Sequence, residues 1–217
     1  MPSDTVRNLG VKQDSDFNMS KHISDIVKSC YYNMKDLRRL RRHFTKSIAI
    51  TLSNALIGSK IDYCNSLFYG LNDYQIRRLQ SVQNTLCRIV TKTHRFSSIT
   101  RPLASLHWLP VKYRIQFKMC LIMFKLRHTG YPAYLRDCAR PYHSTYQTRK
   151  SDSSHDFLQT PYYNWKQHNS FKSLSSTFIY SAPRLWNSLP DSCRCASSIS
   201  TFRSHLKTHL WTKAYPP

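Results

Sequence analysis

The sequence predicts a mainly α protein: a bundle of about five helices, with a short N-terminal strand before it and a small α(+β) C-terminal module after it. Three observations predict this. Apolar residues recur at spacings of three and four over long stretches, the period of a helix that buries one face. Ser, Thr, Asn and Asp stand just ahead of several such stretches, where a side-chain oxygen accepts an orphan N–H of a first turn. Hydrophobic residues make up 41% of the 217-residue chain, enough for a core and too many for a disordered polymer.

The elements follow in order. Val6 to Val11 reads as a strand, and Asp14-Ser15-Asp16 as a turn. A first helix is expected from Ser20, read as its N-cap, to Arg42. Ile23, Ile26, Val27, Cys30, Met34, Leu37 and Leu40 form its buried stripe. Thr45 caps a second helix running through Ile57, with Ile48, Leu52, Ala55 and Leu56 inside. A break is expected near Gly58, and Asp62 to Tyr69 continues the helix up to Gly70. A third helix starts at Asn72 or Asp73 and buries Ile76, Leu79, Val82, Leu86, Ile89 and Val90. A short helix spans Pro102 to Leu106. A longer one runs from Pro110, which suits a first turn because its missing N–H costs nothing there, to His128. Gly130-Tyr131-Pro132 stops it. Periodicity then fades from Arg140 to Ser170, which reads as a linker. Phe178-Ile179-Tyr180 reads as a strand, and Pro183 to Leu189 as one or two helical turns. Ser197 or Ser198 caps a last helix carrying Ile199, Phe202, Leu206 and Leu210. The expected organisation is 1–19, strand and turn; 20–138, helical bundle; 139–170, linker; 171–217, small module.

Charge bounds the partners. Lys and Arg number 33 against 11 acidic residues, all of them Asp, for a net charge of +22. So one-sided a balance points to a polyanion, of which nucleic acid is the commonest. No apolar run is long enough to span a bilayer, so no membrane partner is expected. Met1 to Gly10 lacks the apolar core of a secretory signal. Seven scattered Cys, mostly on apolar faces, suit reduced thiols in a cytoplasmic or nuclear protein.

The basic residues cluster. Between residues 20 and 46, eight Lys and Arg stand against two Asp. Arg38, Arg39, Arg41 and Arg42 crowd a helix end, where the dipole also favours cations, and Lys46 follows them. Arg77, Arg78, Arg88 and Lys92 form a second group, joined by Arg95. Lys112, Arg114 and Lys118 form a third, joined by Lys125 and Arg127. Charge runs are usually solvated faces. Few acids are present to mix with these, which favours contact with phosphates. Tyr31, Tyr32, Phe96 and Tyr113 lie near enough to stack on bases, although packing is the commoner role for such rings.

Other chemistry reads weakly. Asp14 and Asp16 are better explained as a solvated turn than as a cation site. In Asp62-Tyr63-Cys64-Asn65, Asp62 and Asn65 suit a polar corner with Asp62 capping a helix. Cys64 has no nearby His to activate it as a nucleophile. His107 reads as a packing histidine and Trp108 as core. Cys193-x-Cys195 with His205-x-x-x-His209 has zinc-like elements, but Cys-x-Cys is tighter than the usual ligand spacing. No cofactor and no metal are expected.

Four motifs in one order carry a resemblance: Asp62-Tyr63-Cys64-Asn65-Ser66-Leu67, Leu79-Gln80-Ser81-Val82-Gln83-Asn84, Leu106-His107-Trp108-Leu109-Pro110, and Ala182-Pro183-Arg184-Leu185-Trp186-Asn187-Ser188-Leu189-Pro190. With them the chain resembles the C-terminal part of reverse transcriptases of non-LTR retrotransposons, of the chicken-repeat-1, jockey and L2-like lineages. The resemblance implies that residues 1–19 end a palm-like strand and turn, and that 20–138 form a thumb-like bundle. It implies that template–primer, whether RNA, DNA or RNA–DNA hybrid, is held through basic helices, with the palm domain as a further partner. It assigns no chemistry to the residues from 140 onward. Polymerases hold paired metal ions with clustered carboxylates, and this chain has no Asp-Asp pair, so no enzymatic activity of its own is expected. The alternatives are a protein–protein interaction module and a decayed retrotransposon remnant.

Overall fold

The computed structural model describes residues 5–14, 18–142, 157–160 and 177–216. The architecture is mainly helical, with one short antiparallel sheet at the N-terminal end. Among the described residues no helix is long and apolar enough to cross a membrane. Contacts divide the chain into two compact units, residues 1–115 with 214–217, and 116–213. The dividing point falls within a helix.

The first unit opens on a hairpin of β1 (Thr5–Asn8) and β2 (Val11–Asp14), with Asn8 opposite Val11. The expected single strand is therefore interrupted. Leu9 and Gly10 both take positive φ, 45° and 84°, the primed two-residue turn that matches strand twist. The Tyr63 hydroxyl donates to the Leu9 carbonyl at 2.6 Å. Asp14 Oδ1 accepts the N–H groups of Asn18 and Met19. Ser15 and Asp16 lie outside the described residues.

Helix α1 (Ser20–Leu40) buries His22, Ile23, Ile26, Cys30, Met34 and Leu37, as the periodicity requires. Its N-cap is Met19, in the left-handed region, and not Ser20. Asn18 Oδ1 accepts the Ser20 N–H, and the Ser20 hydroxyl accepts instead from Gln75 Nε2. Leu40 is exposed, and a 3-10 turn (Arg41–His43) replaces the expected last helical residues.

Helix α2 (Lys46–Ser53) is capped by Thr45, whose hydroxyl accepts the Ile48 N–H at 3.3 Å. The buried face differs from the expected one. Ala49, Ser53, Ile57 and Ile61 are buried, whereas Ile48 and Leu56 are exposed. Both faces are apolar here, and the small side chains of Ala49, Ser53 and Gly58 lie on the buried one, where helices approach closely. No break occurs at Gly58. A π-helical turn (Asn54–Gly58) carries the chain directly into α3 (Ser59–Asp62). The interruption comes later, at Cys64, which has a φ of 51° and precedes a 3-10 turn (Asn65–Phe68).

Helix α4 (Asp73–Thr91) is capped by Asn72 and buries Leu79, Val82, Leu86, Ile89 and Val90. It runs parallel to α1. Gln75 meets Ser20 and Arg78 meets Ser24 at one end, and Arg41 meets Val90 at the other. Helix α5 (Thr100–Ser105) and then α6 (Val111–Thr129) follow. The Pro110 carbonyl accepts the N–H groups of Tyr113 and Arg114, starting α6 as expected.

The second unit contains the rest of α6, a 3-10 segment (Ala133–Ala139), α7 (Phe178–Asn187), α8 (Asp191–Arg194) and α9 (Ile199–Ala214). Phe178-Ile179-Tyr180 begins α7 and is not a strand. Ser181, Ala182 and Trp186 are buried at helical spacing, and that packing overrides the strand preference of an aromatic and β-branched triplet. Ser198 caps α9 by accepting the Thr201 N–H, and Phe202, Leu206 and Leu210 are buried. Ile199 is exposed.

The expected linker is partly structural. Pro141 bridges Leu158, with Tyr142 N–H donating to Phe157 O and Gln159 N–H to Arg140 O, each at 2.9 Å. Leu158 is buried. Residues 143–156 and 161–170 of that stretch lie outside the described residues, as do 171–176 of the expected module.

Candidate nucleic-acid interface

The motif residues turn out to bind one another. Gln80 Oε1 accepts the Val111 N–H at 2.9 Å, and its Nε2 donates to Gln83 and Asn84. Gln83, fully buried, donates from Nε2 to the Leu109 carbonyl at 2.8 Å. The carboxylate of Asp62 pairs with Arg114 and accepts from Asn65 Nδ2. Three of the four motifs therefore converge on the N-terminal turn of α6: Gln80 takes an N–H that the helix start leaves open, Gln83 holds the Leu109 carbonyl just ahead of it, and Asp62 holds the Arg114 side chain. The fourth acts within the second unit. Asn187 uses both ends of its carboxamide on Leu158, accepting its N–H and donating to its carbonyl, each at 2.8 Å. Trp186 stacks on Phe202 and lies under the Arg127 guanidinium. These motifs are architecture. Asp62 stands at the end of α3, so it does not cap a helix start as expected.

The same geometry sorts the basic candidates. Arg41 is buried, with 9% of its surface exposed. Its Nε and Nη2 donate to Val90 O, and Nη1 donates to Phe44 O at 2.7 Å. It satisfies carbonyls where α4 ends and is not available to a phosphate. Arg114 is committed to Asp62. Arg78 donates to Gln75 and Ser24 and lies over the Tyr74 ring. Arg41, buried and turned inward, leaves the candidate set; Arg78 and Arg114 are half-buried and spend part of their N–H donors inside the fold. Arg39 faces Asp36 at 3.9 Å, and Arg42 donates to His43. Arg77, Lys46, Lys112 and Lys118 are exposed, and Lys118 belongs to the second unit.

Three candidates do come together. Arg38, Arg88 and Lys92 line one cleft of about 900 Å³ with Arg41, Thr85, Ile89, Thr93, His94 and Arg95. No carboxylate lines it. Residues 77, 81, 85, 88 and 92 fall on one stripe of α4, because steps of four and three keep a helical face. Parallel packing brings the end of α1, with Arg38, beside the end of that stripe. Lys92 closes α4 in the left-handed region at φ 55°, its N–H donating to Arg88 O, and the chain turns there towards Arg95. Arg88 donates from Nη2 to Ser97 O at 3.4 Å, and its Nε is buried with no partner among the described residues. Thr85, Thr93 and His94 add donors that charge counting alone did not single out. Such a cleft has the cations and hydroxyls that phosphate contact requires.

Other groups are quiet. Burial raises the Cys30 and Cys87 thiols to about 11 and Cys120 to about 12, so none is poised as a thiolate. His107 is exposed at a positive φ of 54° and is not the packed histidine expected. Trp108 is core, and its carbonyl accepts from the Tyr215 hydroxyl at 2.6 Å. Cys193 is buried and Cys195 exposed, and His205 Nδ1 lies 2.6 Å from the Ser192 carbonyl. Among the described residues no group of three or more His, Cys and Asp side chains is placed to hold a metal ion. Comparison with known family models, curated proteins and solved structures finds no match to this chain.

Proposed function

We propose that this chain is the thumb side of a non-LTR-retrotransposon-type polymerase and holds RNA, DNA or hybrid by its phosphates, without polymerase chemistry of its own. The observation that carries this reading is the carboxylate-free cleft lined by Arg38, Arg88, Lys92 and Arg95, on a chain of net charge +22. A grip of this kind needs cations on helix faces and no base-reading group, so it is indifferent to sequence. The support for kinship is the four spaced motifs, three of which meet at the start of α6.

Salt titration tests it. Four phosphate contacts give a slope near −3.6 in log affinity against log salt for duplex, a loss of roughly 100-fold from about 50 to about 200 mM. Arg38→Ala with Lys92→Ala lowers the slope by about 2. An affinity that ignores salt, or a double variant with unchanged slope, overturns the reading. Primer extension by the purified chain with magnesium overturns the claim that it carries no polymerase chemistry.

A protein–protein module is the second reading, favoured by the exposed Leu40, Ile48 and Leu56. Light scattering decides this: a monodisperse monomer removes it, and self-association supports it.

A further inference from the structure

The loop that leaves the cleft carries a ring unlike its neighbours. Phe96 is 85% exposed, yet polar groups hold its backbone in place. Its N–H donates to His94 Nδ1 at 3.4 Å, and the Ser97 N–H donates to the His94 carbonyl at 3.2 Å. Arg88 reaches the Ser97 carbonyl from the cleft side. The ring itself is flanked: the Arg95 guanidinium lies 5.7 Å from its centroid, and the His94 ring 5.6 Å away at a tilt of 48°. Both flanking residues also line the basic cleft. Exposing nearly all of a phenylalanine to water is unfavourable, and the fold gains no core packing from it.

We propose that Phe96 stacks on an unpaired base whose neighbouring phosphates lie in the cleft, so that the site takes nucleic acid with a single-stranded segment. This rests on the phosphate-binding reading above and narrows its ligand. Every base has a π face, so a phenyl ring selects for an open base without selecting its identity. A base within blunt duplex has both faces covered by its neighbours and offers nothing to the ring. Arg95 contributes twice, as a cation to the phosphate and as a partner to the ring on its other side. The spacing is short: Lys92, His94, Arg95 and Phe96 fall within five residues, so phosphate and base contacts belong to adjacent nucleotides.

The experiment uses the full chain and three labelled probes, compared across the same salt series: a single strand of about 12 nucleotides, a blunt duplex, and the same duplex with a single-stranded overhang. A second set carries 2-aminopurine in the unpaired segment, whose emission is quenched by stacking. Phe96→Ala weakens the single strand and the overhang by about tenfold and leaves blunt duplex within about twofold. It also abolishes the quench, and Phe96→Trp restores both. The salt slope stays as in the parent chain, because no cation has been removed. If Phe96→Ala weakens all three probes equally, or none, the inference falls while phosphate binding stands. If the parent chain binds no probe at low salt, both fall.

Discussion

Replacing Arg41 with methionine keeps an unbranched stem of similar reach and removes the guanidinium. The change orphans the Val90 carbonyl, which accepts from both Nε and Nη2, and the Phe44 carbonyl, which accepts from Nη1. A buried acceptor left without a partner costs about 1–3 kcal/mol. The Val90 carbonyl bears this in full. Phe44 is half-buried, and water can replace part of its bond. The sum is about 3 kcal/mol, or a melting temperature lower by about 8 °C in a chain of this size. Arg39→Ala, two residues away, is the control. Its pair with Asp36 is long and solvated, so its loss changes stability by less than about 0.5 kcal/mol. Urea titration followed by circular dichroism reads both. If Arg41→Met unfolds within about 1 kcal/mol of the parent chain, Arg41 is not the tie between the ends of α1 and α4, and its place in the cleft must be reconsidered.

Two further outcomes follow from polar groups in each unit. Burial lowers the proton affinity of His22 below its ordinary value, with Asp25 opposing; the unfolded chain therefore takes up a proton first as pH falls. Stability present above about pH 6.5 is lost as pH drops through the lower folded value, so melting temperature falls between about pH 7.5 and 5. His22→Gln reduces that fall, and an unchanged pH profile in the variant rules out His22 as its source. Asn187→Ala removes both bonds to Leu158, and amide exchange at Leu158 quickens by about 10- to 100-fold. Equal protection in parent and variant overturns the anchoring role.

The start and most of the buried face of helix α4 were legible in the sequence, because its cap and its apolar period agree, although Ile76 is only half-buried. Helix α2 was not: two apolar stripes compete there, and neighbour geometry chooses the one with small residues. The hairpin was hidden because Leu9 is not a residue that signals positive φ. Leu158 lies in a stretch without periodicity, and the group that holds its backbone is Asn187, 29 residues later. The cleft was half legible. Charge density named Arg38, Arg88 and Lys92, but nothing local says that α1 and α4 run parallel. Nor does composition distinguish Arg41, turned inward onto carbonyls, from Arg38 three residues before it.

The bond from Tyr215 to the Trp108 carbonyl spans 107 residues. In synthesis, the Trp108 carbonyl therefore waits for a hydroxyl made long after it. Tyr215→Phe disturbs the turn ahead of α6, although the two lie far apart in the sequence.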